Sequence, residues 1–460
     1  MVGPHPMLNP DRTASDSPGR TSHVRWNILA LLTLLSFVAY LLRTNMSIAG
    51  ERMMGDLGLS QVQLGWVLAA FAWGYAIFQF PGGLLGEWLG GRKALTLIAV
   101  LWGILNLLIV LVPGSSAAGP VLIITSLAAL RFLMGAAQAP VFPVLGGHTI
   151  ARWFPVSGWA FPNALTNMGL TLGAAATGPL IVLLIRSFGW RWSFALTAPL
   201  AFLCAGVWWW YGRDDPSQHP AVGPQELELI NADRPSTSSV GDPRAAWRLV
   251  LRNREVTLIT ASYFFNNYVF YFFFNWLYIY LVEIRKFEEL QGGVLAAAPW
   301  VAGAFAAVFG GWTCDRLSRR YGIRLGCRLV VIVGLLLAGA FVIAAGAASS
   351  PSVAVIYLSL CLGSQQFTDS AYWAAATSVG GRHSAAACGV MNTGGNAVGG
   401  IVALLVPFTA RALGWPAALA TASLFAFVGA GLWLWIRADR SIDDPSSRIA
   451  GSSAAPMVAS

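Results

Sequence analysis

GGLLGEWLGGRK, residues 82–93, and GGWTCDRLSRRYGIR, residues 310–324, are two versions of one pattern: a glycine pair, an acid, then a basic cluster. The alignment sets Glu87 opposite Asp315, 228 residues further on. A second marker repeats at nearly the same offset. Asn167 precedes a Gly-Trp pair (Gly189, Trp190) by 22 residues, and Asn392 precedes Gly414 and Trp415 by the same 22. Two markers at matching offsets point to a chain built from duplicated halves.

What each half contains follows from hydropathy. Of the 460 residues 56% are hydrophobic and only 11% charged, with 20 tryptophans, outside the range of a water-soluble domain. Twelve apolar spans are expected near 26–49, 61–86, 94–112, 120–147, 158–185, 192–211, 255–282, 291–312, 328–348, 353–380, 386–410 and 416–436. The fold class is therefore an all-α membrane protein of twelve transmembrane helices in two pseudo-symmetric six-helix halves, 26–211 and 255–436. Residues 212–254, polar and rich in proline, form the linker between them. The tails, 1–25 and 437–460, read as disordered.

The net charge of +9 is an orientation signal. Lysine and arginine crowd into the tails, the linker and the loops on the linker side, which places both termini in the cytoplasm and gives no reason to invoke nucleic acid. The five cysteines lack ligand-like spacing, so neither a disulfide framework nor a metal site is expected. The five histidines lie in tails, loops or span ends, without a nucleophile in reach, and an enzyme is disfavoured. A nutrient sensor would need an output domain for which the linker is too short.

Six segments in order carry a family resemblance: YLLRTNMSIA in the first span, FAWGYAIFQFPGGLLGEWLGGRK in the second, RFLMGAAQAPVFP in the fourth, RWFP after it, GWRWSF before the sixth and NTGGNAVGG in the eleventh. The chain resembles a major facilitator superfamily transporter, and within it the anion:cation symporter branch, which moves sugar acids, hexuronates and other organic carboxylates. The resemblance implies alternating access, a bacterial inner (plasma) membrane, a small organic anion as substrate, a proton or sodium ion as co-substrate, a monomer in the lipid bilayer and no cofactor.

Helical spacing then selects the residues that could share a cavity. Ser36, Tyr40, Arg43 and Ser47 form one polar face of the first span; Tyr75 and Gln79 lie one turn apart on the second; Arg131 and Gln138 nearly eclipse on the fourth. The seventh carries Tyr263, Asn267, Tyr271, Asn275 and Tyr278, the tenth Gln365, Asp369, Trp373 and Thr377, and the eleventh Asn392 and Asn396. Arg43 is the leading candidate, because a guanidinium grips a carboxylate with two parallel donors and stays charged. The resemblance implies the same role, with Tyr40 and Tyr75 beside it. It also marks a departure: Leu42 and Gln138 stand where proton-coupled relatives carry acids. Asp369 is then the acid expected deep in a span, as a coupling site or as an ion-pair partner of Arg43 or Arg131. Glu87, Arg92, Lys93, Asp315 and Arg316 are expected to latch the halves at the cytoplasmic ends. The function expected is ion-coupled carriage of a small organic carboxylate; the alternative is an uncoupled facilitator or exchanger, or an exporter of an aromatic acid.

Overall fold

The computed structural model describes residues 22–155, 160–232 and 243–443, and within it the side chain of Glu87 lies outside the described ones. Every regular element among the described residues is helical. In chain order they are α1 (Val24–Leu57), α2 (Gln61–Val110), α3 (Pro120–Gln138), a π-helical stretch (Pro143–Ile150) running into α4 (Ala151–Trp153), α5 (Ala160–Phe188) and α6 (Trp190–Tyr211). The linker contributes the short α7 (Pro224–Asn231) and α8 (Pro243–Arg252). The second half follows as α9 (Arg254–Ile279), α10 (Glu289–Tyr321), α11 (Ile323–Ala347), α12 (Pro351–Phe367), α13 (Asp369–Gly380), α14 (Ser384–Leu413) and α15 (Trp415–Leu432).

Ten stretches among the described residues are long and apolar enough to cross a membrane. The other two expected spans, the seventh and the tenth, are also helical, as α9 and as α12 with α13. The seventh carries a dense polar stripe, and the tenth is divided at Thr368 into helices of 17 and 12 residues. Large apolar side chains such as Leu122, Phe305 and Leu424 stay exposed on the bundle wall, where hydrocarbon rather than water is the natural solvent.

The duplication is visible in the backbone. α2 spans two expected helices and turns between them at Gly90 (φ 77°, ψ 158°), and Gly322, between α10 and α11, takes almost the same angles (84°, 154°). Gly189 and Gly414, which start α6 and α15, agree as closely (87°, 164° and 85°, 165°). This region is open essentially to glycine alone.

Several tail and linker residues are built into the bundle. The carboxylate of Glu226 on α7 accepts from the backbone amides of Val24 (3.1 Å) and Arg25 (3.0 Å) and from the Ser22 hydroxyl (2.6 Å). It thus satisfies amide groups that the start of α1 leaves without helical partners. At the other end of the chain the Arg437 amide donates to Glu255 (2.8 Å) and the Ile442 amide to the carbonyl of Val379 (2.8 Å). Order therefore reaches into both expected tails, and the first and last described residues lie with the described part of the linker at one end of the bundle, the linker end.

Gly414→Ala forces a Cβ into glycine-only backbone space and is expected to lower the thermal unfolding midpoint, whereas Gly206→Ala, helical and with open space around it, leaves it unchanged or raises it. Differential scanning fluorimetry of the two detergent-solubilised variants checks the contrast.

Candidate substrate site

Arg43 sits within α1 with 1% of its surface exposed. Its Nη1 donates to the Tyr40 hydroxyl (3.2 Å) and its Nη2 to the Tyr271 hydroxyl (2.9 Å), while Nε finds no partner. Aromatic rings enclose the charge: its Cζ lies 4.6 Å from the ring centre of Phe274, 4.7 Å from Phe71, and 5.0 Å from both Tyr40 and Tyr75. Each face of a ring offers partial negative charge, so the cage stabilises a cation without neutralising it. Among the described residues no carboxylate lies within 4.0 Å of Arg43 or of Arg131.

The cage is built by both halves. Tyr271 and Phe274 come from α9, Phe71 and Tyr75 from α2. The Tyr271 hydroxyl accepts from Arg43 and donates to Asn396 Oδ1 (2.8 Å), and the Asn396 amide donates in turn to Asn392 Oδ1 (2.9 Å). One chain of hydrogen bonds thus joins α1 through α9 to α14. Gln79, one turn beyond Tyr75, is buried with neither amide atom partnered. A buried amide left this way is costly, and a polar ligand would relieve it.

The other expected residues divide. Arg131 and Gln138 face the backbone of α1: Arg131 Nη2 donates to the carbonyl of Arg43 (3.3 Å) and Gln138 Nε2 to that of Ala39 (3.0 Å). Arg131 also packs over Phe71, at 4.6 Å, so that ring is shared by two guanidinium groups. Asn267 and Asn275 are buried on α9, and Asn267 lies within 2.6 Å of where a Cβ at Gly395 would be. Asp369 accepts from the Tyr263 hydroxyl (3.0 Å) and does not pair with either arginine; Trp373 on the following turn is 37% exposed. The unbroken four-residue stripe expected along the tenth span is interrupted: the chain tightens at Thr368, whose hydroxyl turns to Gln365 O and Asn266 Oδ1, and Asp369 starts a new helix.

Among the described residues the loop signatures do not meet across the halves; the side chain of Glu87 lies outside them. Arg92 donates its backbone amide to Asp214 at the start of the linker (2.7 Å) and its guanidinium to the carbonyl of Trp209 at the end of the first half. Lys93, Asp315 and Arg316 are exposed. Phe71 escaped the polar-stripe reasoning, although its place one turn before Tyr75 would have put it on the same face.

This geometry can be set beside known proteins. Residues 32–403 match the model of the Major Facilitator Superfamily. The chain belongs to that superfamily. It is a membrane transporter, not an enzyme. It is 30% identical over 376 residues to the probable sulfoacetate transporter SauU of Cupriavidus necator (82% of this chain, 84% of that one). It is 30% identical to the probable galactarate/D-glucarate transporter GudP of Bacillus subtilis (87% and 89%), and 27% identical to the chloroplastic sodium-dependent phosphate transport protein 1 of Arabidopsis thaliana (83% and 74%). Anion carriers among its relatives agree with the branch expected from the motifs. The fold is shared with a bacterial homologue of the lysosomal transporter Spinster (TM-score 0.72, 16% identity, 90% of this chain and 97% of that one). A D-xylose-proton symporter gives a TM-score of 0.70 at 13% identity, over 89% and 97% of the two chains.

Phe71→Leu removes the ring shared by both guanidinium groups. At about 0.5–2 kcal/mol for each cation–π contact, the variant is expected to unfold several degrees below the parent in the absence of any ligand, a difference that scanning fluorimetry reads directly.

Proposed function

We propose that this transporter carries a small organic carboxylate across the bacterial inner membrane by alternating access, with Arg43 gripping the carboxylate. The observation that carries the reading is the state of Arg43: buried at mid-helix, caged by aromatic rings, and without an acid to balance it. Leaving a buried cation uncompensated is expensive, and an arriving anion supplies both the charge and the acceptors. Galactarate, glucarate and sulfoacetate, named for its relatives, are all small hydrophilic anions, and the unpartnered Gln79 amide suits the hydroxyls of a sugar acid.

The linker end is cytoplasmic in this reading, because the basic residues concentrate there. Among the described residues the hydrogen bonds that cross between the halves lie at mid-depth and at the opposite end, which fits the inward-facing member of the transport cycle. The exposed basic signatures at the linker end then latch the halves only in the outward-facing member.

Two central arginines and Asp369 sum to +1, so a monoanion neutralises the set, and a protonated Asp369 shifts the preference towards a dianion. Asp369 and Tyr263 form the coupling site in this scheme. Leu42 and Gln138, which replace the acids of proton-coupled relatives, support the rival scheme of an uncoupled exchanger or an exporter of aromatic acids; so does the abundance of rings around Arg43.

A thermal-shift screen against sugar acids, hexuronates, sulfoacetate and aromatic carboxylates decides the anion reading. A stabilising carboxylate is expected for the parent. Arg43→Ala should abolish the shift and Arg43→Lys should weaken binding about ten- to hundred-fold, by loss of charge-assisted hydrogen bonds. An equal response from Arg43→Ala removes the proposed role. For coupling, Asp369→Asn is expected to exchange substrate across proteoliposomes but not to accumulate it; retained accumulation refutes the assignment.

A further inference from the structure

The turn at Gly322 folds α11 back against α10 and sets two sulfur atoms side by side. Cys314 Sγ lies 3.6 Å from Cys327 Sγ, in van der Waals contact, and 3.9 Å from the Ser318 hydroxyl. The two cysteines are 13 residues apart, a spacing that matches no ligand motif and becomes a contact only when the hairpin forms. The helices are tightly apposed here. Gly326, next to Cys327, faces Ser318, and a Cβ added to it would lie 2.6 Å from the Ser318 backbone nitrogen. The other three cysteines are placed differently: Cys388, the least buried of the five, adjoins the Thr377 hydroxyl at 3.5 Å, and Cys204 and Cys361 are buried on α6 and α12.

Burial and position decide what reaches the pair. Cys314 is 2% exposed and Cys327 0%, so bulky or charged reagents are shut out. The pair is nonetheless near the rim of the bundle: Asp315, Arg316 and Arg319, which follow Cys314, are exposed, and Cys327 lies in the second turn of α11. A small neutral oxidant crosses so thin a layer during local opening of the helix ends, and a hydroperoxide has the right size and charge. An isolated buried thiol oxidised in this way stops at the sulfenic acid. A second thiol in contact with it intercepts that product before more oxidant arrives.

We infer that Cys314 and Cys327 form a redox modification site, where hydrogen peroxide or another small hydroperoxide joins α10 to α11 by a disulfide. With hydrogen peroxide, the sulfur of one thiol attacks a peroxide oxygen, the O–O bond breaks, and a sulfenic acid and one water result. The second sulfur then attacks the first, the S–O bond breaks, the S–S bond forms, and the departing hydroxide takes up the second thiol's proton as another water. Two thiols lose two electrons and two protons, and one peroxide becomes two waters. The Ser318 hydroxyl is placed to hydrogen-bond the Cys314 sulfur as its proton leaves. To reach a bond length of about 2.05 Å the sulfurs close by about 1.5 Å, a distance that side-chain rotation covers. With the linker end cytoplasmic, as proposed above, the site faces a compartment in which such bonds arise transiently, under oxidant exposure. Its product stiffens the corner that carries Asp315 and Arg316, the second loop signature.

The test uses hydrogen peroxide and the purified parent protein in detergent, with no substrate. Remaining free thiols are blocked in denaturant and the protein is digested without reductant. The peptides holding Cys314 and Cys327 are expected as one linked species, which dithiothreitol added to the digest separates, while Cys204, Cys361 and Cys388 are recovered blocked. The linked protein is expected to unfold about 2–4 °C above the reduced one, because the bond closes a loop of about 14 residues. Cys314→Ser and Cys327→Ser should each lose both the linked species and the rise, and Cys388→Ser should keep both. If a serine variant fails to fold, the digest of the parent still decides.

Free thiols at both positions once Cys388 has begun to oxidise, a link that forms only in unfolded protein, or a linked form that unfolds no higher than the reduced one overturns the site. None of these outcomes depends on which face of the membrane the linker end occupies or on whether a carboxylate binds, so failure of the redox site and failure of the substrate reading remain distinguishable.

Discussion

A permanent positive charge held in the middle of a helical bundle is the constraint around which the rest is arranged. Arg43 cannot lose its proton at any ordinary pH and is cut off from water, so the fold must stabilise it by other means. Hydroxyls from Tyr40 and Tyr271 and the faces of Phe71, Tyr75 and Phe274 do so only in part. Aromatic residues in the second and seventh spans thereby have a task beyond filling space. Because these rings belong to different halves, the interface between the halves and the environment of the charge are one structure.

The same arrangement explains why Arg131 turns away. A second guanidinium aimed at the same place would double the uncompensated charge. Arg131 is instead committed to the backbone carbonyl of Arg43, with the Phe71 ring against both cations, and Gln138 secures α1 one turn earlier. These contacts fix the orientation of α1 against α3 and hold the Arg43 side chain towards the seam. Their role is positional, and nothing in the spacing of residues along the fourth span reveals it.

That contrast marks what could be read from the chain and what could not. Helical periodicity identifies which residues share a face of their own helix, and it set Tyr40 with Arg43 and Tyr75 with Gln79. It does not say which neighbouring helix that face meets, so Arg131 and Gln138 could be placed on a stripe but not aimed. Phe71 was invisible because an apolar ring in an apolar span offers no contrast. Thr368 interrupts a span whose regular stripe implied an unbroken helix, and its hydroxyl reaches Asn266 on α9, a partner brought to it only by folding. The duplicated halves were legible because glycine alone tolerates the backbone angles at Gly90, Gly189, Gly322 and Gly414, and such positions leave a mark in the sequence.

The uninterrupted length of α1 has a mechanical consequence. One 34-residue helix runs from the Glu226 carboxylate at its first turn, past Arg43, to Arg52. At about 1.5 Å per residue, roughly 28 Å of rod lies on the linker side of Arg43 and roughly 13 Å between it and Arg52. If the cage around Arg43 serves as a fulcrum, α1 is a lever of unequal arms. A displacement of about 1 Å at Arg52 becomes about 2 Å where α7 grips the opposite tip, so small events at one face of the membrane arrive enlarged at the other.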